Sequence, residues 1–247
     1  YILSSAVNFR PSFTSILAST PSGKRATATL VSHDYNRNLV LLKVNTTEQY
    51  TTASPVPHTE IIVGQWSIAL GKTYSREVVN QSLGIISATN RIWGKAIQTD
   101  AKISPANYGG PLIDIQGRVY GILTPLSPRG QNPTDGTDWY DSGIGFAVPL
   151  IDILPHLDTL KAGKDLHSGL LGVSLKSGDI YDLPAEIVAV QPKSPARTGG
   201  LQKGDTIIKV NDVLISRQAQ LRHALGSQYA GNTIAISVKR DDQVVTT

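Results

Sequence analysis

Between Ile97 and Ile122 the chain reads IQTDAKISPANYGGPLIDIQGRVYGI, and no other stretch constrains the fold as strongly. Ile97 to Ile103 alternates mostly between apolar and polar residues. Pro105 to Gly110 is a tight turn, and Leu112 to Ile122 reads as a hairpin around Gln116 and Gly117. Strand, turn and hairpin follow one another, with Tyr108 in the turn. The rest of the chain agrees. With 22 Gly, 14 Pro and only 6% aromatic residues, strand-like runs dominate over helical ones, which points to a mainly β protein rich in turns. Its 247 residues, 40% hydrophobic, are enough for two domains with real cores.

Several classes of function are excluded. The net charge of +4 is spread without a Lys/Arg block or aromatic interleaving, so no nucleic-acid surface is expected. No apolar run approaches 18 residues, so no membrane span is expected in this segment, and no signal peptide is visible. The absence of cysteine removes disulfides, thiolate catalysis and Cys-ligated metals. Neither G-x-S-x-G nor H-E-x-x-H occurs, and Asp114, Asp135, Asp138 and Asp141 read as solvated loop carboxylates, so neither metal nor other cofactor is expected.

The stretch IQTDAKISPANYGGPLIDIQGRVYGI resembles the HtrA/Deg family of trypsin-like proteases, whose pattern here is I-Q-T-D-A-x-I-N-P-G-N-S-G-G-P-L. Proteases of this kind place the nucleophile in such a turn, with backbone N–H groups facing the developing oxyanion. The resemblance puts Tyr108 at the nucleophilic serine and Ala106 at the glycine that supplies an oxyanion N–H. A Cβ at position 106 penalises any backbone geometry of positive φ. YILSSAVNF at the start resembles the family's Y-I-L-T-N-A-H-V-V and puts Val7 at the general-base histidine. DYNRNLVLLKV, from Asp34 to Val44, resembles D-x-x-x-D-L-A-x-L-K-V, keeps the first aspartate as Asp34 and puts Asn38 at the catalytic one.

Each replacement removes a chemical function. Asn for Asp offers an imidazole the wrong partner, Val cannot take a proton, and a phenol of pKa about 10 without a base is a poor acyl nucleophile. Of the five histidines, His33, His58, His156, His167 and His223, only His33 falls in a segment near the implied cleft, and it reads as a surface residue.

VGQWSIALG (Val63 to Gly71), QSLGIISA (Gln81 to Ala88) and GIGFAVP (Gly143 to Pro149) also match family strands, so the scaffold is expected to persist. Pro125 to Ser142 reads as a surface loop, with a lid or partner contact through Trp139 and Tyr140 as the sharper reading. Because the family's motif at the start normally follows two earlier strands, the N-terminal barrel is expected to be incomplete in this chain. Leu150 to Lys161 reads as a helical connector with Pro155 as a kink and Gly163 as its cap, and Lys161 to Ser168 as a polar linker.

Gly169 to Thr247 resembles a bacterial PDZ domain. The resemblance makes Leu170, Leu171, Gly172 and Val173 the carboxylate-binding loop, with Leu in place of the usual Tyr. Leu221 and Leu225, on a helix that Ser216 caps, become the apolar side of a peptide groove, with Gln218 and Arg222 as candidates for tuning it. The expected protein is thus mainly β: a chymotrypsin-type double β-barrel over 1–149 with its N-terminal strands missing, a connector and linker over 150–168, and one PDZ domain over 169–247. The implied function is binding of peptides or unfolded polypeptide C-termini by a catalytically inactive homologue. By the same resemblance it acts in a homo-oligomer or with an active paralogue, in the periplasm or cell envelope, against the alternative of an active serine endopeptidase.

Overall fold

The computed structural model describes residues 1–9, 15–20, 23–72, 78–127, 136–137, 142–241 and 243–247. Trp139, Tyr140, Asp135, Asp138 and Asp141 lie outside them. The chain divides into two compact units, Tyr1–Leu166 and His167–Thr247.

In the first unit β1 (Ile2–Ser5), β2 (Ile16–Ser19), β3 (Arg25–Asp34) and β4 (Leu39–Val44) form a four-stranded sheet in the order β1-β4-β3-β2. The next six strands, β5 (Trp66–Lys72), β6 (Val79–Asn90), β7 (Ala96–Thr99), β8 (Pro111–Ile113), β9 (Val119–Leu123) and β10 (Gly145–Pro149), close into a barrel in the order β10-β7-β6-β5-β8-β9. The architecture is therefore one closed barrel beside a half-barrel. Alternation does the sorting: Ala69, Ile86, Ile97, Leu112, Leu123 and Ala147 fill the barrel. On the outer face Trp66 and Leu83 stay exposed.

The hairpin expected around Gln116-Gly117 joins β8 to β9, with Gly117 at φ 81°. Asp114 is not a solvated carboxylate as the sequence reading had it. It is only 3% exposed, accepts the N–H groups of Gln116 and Arg118 at 2.9 and 2.8 Å, and pairs with Arg118 Nε at 2.7 Å. An Asp before a tight turn satisfies the turn's own donors, and that draws it inside.

The connector follows its expected course, Leu150–Ile153, a 3-10 turn at Leu154–His156 and Leu157–Lys161, with Gly163 at φ 76°. The polar stretch after it does not run free. Leu166 is buried, its N–H donates to His33 O at 2.8 Å, and Tyr35 N–H donates to its carbonyl at 2.9 Å, so residues up to 166 belong to the first unit.

The second unit holds β11 (Val173–Leu175), β12 (Ala185–Val190), β13 (Thr206–Val210), β14 (Val213–Leu214), β15 (Ile236–Arg240) and β16 (Gln243–Thr246). The path is β11-β12-β13-β15-β16, with β14 on β13, so β11 lies at an edge. Helices Pro195–Thr198 and Gln218–Gly226 accompany the sheet, and Ile187, Leu201, Ile207, Leu221 and Val238 are fully buried in the core.

Asp205, 1% exposed, ties this sheet together. It takes Arg240 in a bidentate pair at 2.6 and 2.8 Å and the Gln202 N–H at 2.8 Å. The Arg240 guanidinium holds its carboxyl below the usual range. A depressed carboxyl contributes stability that is present above the unfolded value of about 3.9 and lost as pH falls through the folded one. Hydrogen exchange at the amides of β13 and β15 should therefore accelerate below about pH 4 beyond its intrinsic pH dependence. Asp205→Asn should flatten that acid limb while lowering protection at neutral pH; an unchanged limb would exclude this pair as its source.

Candidate functional site

The turn between β7 and β8 is tied down by its own backbone. Asn107 N–H donates to Ser104 O at 2.8 Å, Tyr108 N–H to Pro105 O at 3.3 Å, and Gly110 N–H to Asn107 O at 2.9 Å. Gly109, at φ 87°, donates to Leu123 O at 2.7 Å and so fastens the turn to β9. Ala106 is not among the non-glycine residues with positive φ, and its N–H donates to Ser104 Oγ at 3.3 Å. The N–H groups of residues 106 and 108 thus both point to acceptors inside the turn. Asn107 is 1% exposed; its Oδ1 accepts from Ser104 N and Oγ, both at 3.1 Å, while its Nδ2 finds no partner among the described residues.

The segments carrying Val7, Asn38 and Tyr108 meet at one place. Val7 lies in a 3-10 turn, Ala6–Asn8. Ala6 N–H donates to Asn38 O at 2.9 Å, and Asn8 Nδ2 donates to Tyr108 O at 2.6 Å. Asp34, 1% exposed, accepts Asn36 N and Arg37 N at 3.0 Å each and so builds the β3–β4 turn that presents Asn38 at φ 58°. Asn38 Nδ2 donates to Pro125 O at 3.1 Å, and Thr124 Oγ1 reaches both Asn38 O, at 3.3 Å, and Ser5 Oγ, at 2.6 Å. Tyr108 is half-buried against the barrel core and borders a recess lined by Ile103, Thr124, Pro125 and Phe146. Burial pushes its phenol up. His33 serves elsewhere, with its ring stacked on Tyr35 at 5.0 Å and its N–H donating to Asp165 at 2.8 Å. Asn8 and Thr124 were missed in the sequence, because a lone polar residue beside a strand carries no pattern of its own.

In the second unit, the loop before β11 has its carbonyls engaged and its donors open. Leu171 O accepts Ala196 N–H and Gly172 O accepts Gln191 N–H, both at 2.9 Å. The N–H groups of Leu170, Leu171 and Gly172 meet no acceptor among the described residues. Gly172 takes φ 81°, the left-handed geometry from which successive N–H groups converge on an anion. Leu170 is exposed, Leu171 and Val173 pack on the core, Leu225 is half-buried and Leu221 is 2% exposed, a floor residue. Gln218, a candidate for the groove, is buried instead. Its Nε2 donates to Lys176 O at 2.7 Å and Pro184 O at 3.4 Å. Ser216 does not cap by accepting a helix N–H; its N–H and hydroxyl donate to Gln220 Oε1 at 2.7 and 2.8 Å.

Comparison with known proteins finds a domain family for each of the two units. Residues 2–122 match the trypsin-like peptidase domain model and residues 169–247 the PDZ domain model. The chain is 29% identical over 250 residues to the serine protease Do-like HtrA of Lactococcus lactis subsp. cremoris, covering 91% of this chain and 60% of that protein. It is 29% identical over 236 residues to a probable periplasmic serine endoprotease DegP-like of Rickettsia prowazekii, covering 87% and 44%. The chain thus spans about six-tenths or less of these curated relatives. Among solved structures, the HtrA-type protease AlgW with decapeptide superposes with a TM-score of 0.73 at 26% identity, over 99% of this chain and 76% of that one. The serine endoprotease from Yersinia pestis gives 0.67 at 25% identity, over 99% and 81%. A trypsin-like domain followed by a PDZ domain, together with relatives and solved structures named as HtrA-type and DegP-like proteases, places this chain in the HtrA/Deg family.

Proposed function

We propose that this chain is a non-catalytic HtrA/Deg homologue that binds the C-terminal ends of polypeptides through its PDZ unit. The observation that carries the binding reading is the row of open N–H groups at Leu170, Leu171 and Gly172 beside the edge strand β11. A terminal carboxylate satisfies such donors, and the residues before it extend the sheet by one strand. Leu171, Val173, Leu221 and Leu225 offer apolar surface for the last side chain.

The loss of catalysis is read from Val7, Asn38 and Tyr108 standing in the three catalytic places, with the donors of residues 106 and 108 turned inward. The relatives' names favour the opposite reading, a serine endopeptidase, and these positions oppose it. As a binding subunit the protein acts as a chaperone-like, scaffold or regulatory partner, in a homo-oligomer or with an active paralogue. The relatives named periplasmic point to the periplasm or cell envelope.

Fluorescence anisotropy of the full chain with labelled decapeptides ending in Val or Leu tests this reading. Free-carboxylate peptides should bind at least about tenfold more tightly than the same peptides amidated, since the donors gain a charged acceptor. Equal binding of the two forms would overturn it.

A further inference from the structure

The backbone of residue 108 is held independently of its side chain. Its N–H donates to Pro105 O at 3.3 Å, its carbonyl accepts Asn8 Nδ2 at 2.6 Å, and the next N–H, of Gly109, donates to Leu123 O at 2.7 Å. The ring is placed by packing alone. It lies against the barrel cluster that includes Ile103, and its hydroxyl has no hydrogen-bond partner among the described residues. That oxygen is not one of the buried unpartnered atoms either, so it reaches water. Tyr108 therefore turns its ring to the barrel and its hydroxyl to the surface.

The recess that this ring borders is apolar. Ile103, Pro125, Ile144 and Phe146 line it, and the Thr124 hydroxyl in its wall is spent on Ser5 and on Asn38 O. Ile103 packs onto the backbone of Gly145, where its Cδ1 leaves no room for a Cβ, so this wall cannot fold inward. The free space that remains, about 10 Å³ for the centre of a water, holds a single molecule. No aromatic or branched side chain fits there while Tyr108 is in place. An apolar cavity of about 150 Å³, by contrast, takes a benzene-sized guest.

We propose that Tyr108 is a built-in stopper, its ring filling from within a pocket that otherwise accepts one aromatic or large apolar group. An entering group would exchange its own burial for that of the ring, with little net gain. The ring is moreover tethered, and a tethered occupant competes at an effective concentration that a dilute ligand does not reach. The cleft of the first unit is thus closed to side chains by the same residue that removes its nucleophile. This closure concerns the first unit alone and does not depend on what the second unit binds.

The test is hydrogen exchange of the full chain, read by mass spectrometry over β9 and β10, with and without p-cresol, the tyrosine side chain as a free molecule. Tyr108→Ala keeps the backbone contacts of the turn and opens the pocket. Its β9 and β10 amides should exchange at least about tenfold faster than those of the native chain and regain most of that protection in p-cresol. Tyr108→Phe should match the native chain, because the hydroxyl holds nothing, and p-cresol should change neither by more than about twofold. Exchange in Tyr108→Ala that p-cresol does not slow overturns the inference. Equal slowing in the native chain also overturns it, since the ligand then sits elsewhere. Exchange in Tyr108→Phe as fast as in Tyr108→Ala would mean that the hydroxyl, not the ring, closes the recess. Should Tyr108→Ala not fold, Tyr108→Leu takes its place in the same titration, with the same outcomes deciding.

Discussion

Purified chain should leave unfolded casein intact, and Tyr108→Ser alone should not change that. Removing the nucleophile or the base from a serine-protease triad costs about a millionfold in turnover, and here neither Val7 nor Asn38 can serve the new hydroxyl. The Asn38 amide is occupied besides, donating to Pro125 O at 3.1 Å. Rebuilding the triad with Val7→His, Asn38→Asp and Tyr108→Ser should give only weak hydrolysis, because the turn still spends both oxyanion donors on itself, Tyr108 N–H on Pro105 O and Ala106 N–H on Ser104 Oγ. Adding Ala106→Gly frees that residue to take positive φ and the 105–106 peptide to rotate. One oxyanion donor is worth about a hundred- to a thousandfold in turnover, so the fourth substitution should raise the rate by at least about a hundredfold over the third. Release of labelled fragments from casein measures the series, with circular dichroism to confirm folding. Cleavage by the native chain would point to a nucleophile outside these places. A fourth substitution without effect would mean that the turn is not what closes the hole.

Much of this molecule could be read before its structure. The runs from Val63 to Gly71 and from Gln81 to Ala88, which match family strands, became β5 and β6, and Gln116-Gly117 made its hairpin, because local alternation and turn chemistry decide such elements within a few residues. What escaped the sequence depends on contacts far along the chain. Nothing in the polar run after Lys161 marks Leu166 as the residue that docks on β3. Gln218 reads as a groove residue until its amide is seen spanning Lys176 and Pro184. The β6–β7 connection is a further case, with Ile92 and Trp93 both left-handed, at φ 51° and 57°. No propensity rule assigns that geometry to a β-branched and an aromatic residue; closure of a short connection between two barrel strands imposes it. At the proposed catalytic places, Val7, Asn38 and Tyr108, the reverse holds. Three side-chain identities argue there against turnover, and the structure adds the direction of the backbone donors, which no residue name encodes.

Gly172→Ala should remove most of the peptide affinity. The residue sits at φ 81°, and an added Cβ would come within 2.3 Å of Ser194 Cβ and 2.9 Å of its Oγ. Ser194 has little room to yield. It is 6% exposed, donates to Gln191 O at 2.7 Å and accepts Arg197 N–H at 3.2 Å as cap of helix Pro195–Thr198. The loop must then leave the left-handed region or push that helix away, and either movement displaces the donors of residues 170–172. Binding of free-carboxylate decapeptides should weaken at least about tenfold, with about 1–3 kcal/mol lost from the stability of this unit. Gly231→Ala separates the two effects. Gly231 has φ 92° with open space around it, so its alanine variant carries the backbone strain without the clash and without touching the loop. That variant should lose stability of about 1 kcal/mol and keep its affinity. If both variants bind equally well, the loop is not where the carboxylate rests; if both weaken equally, the loss at Gly172 is one of folding and says nothing about an anion site. Only a loss confined to Gly172→Ala supports a carboxylate held by these three N–H groups.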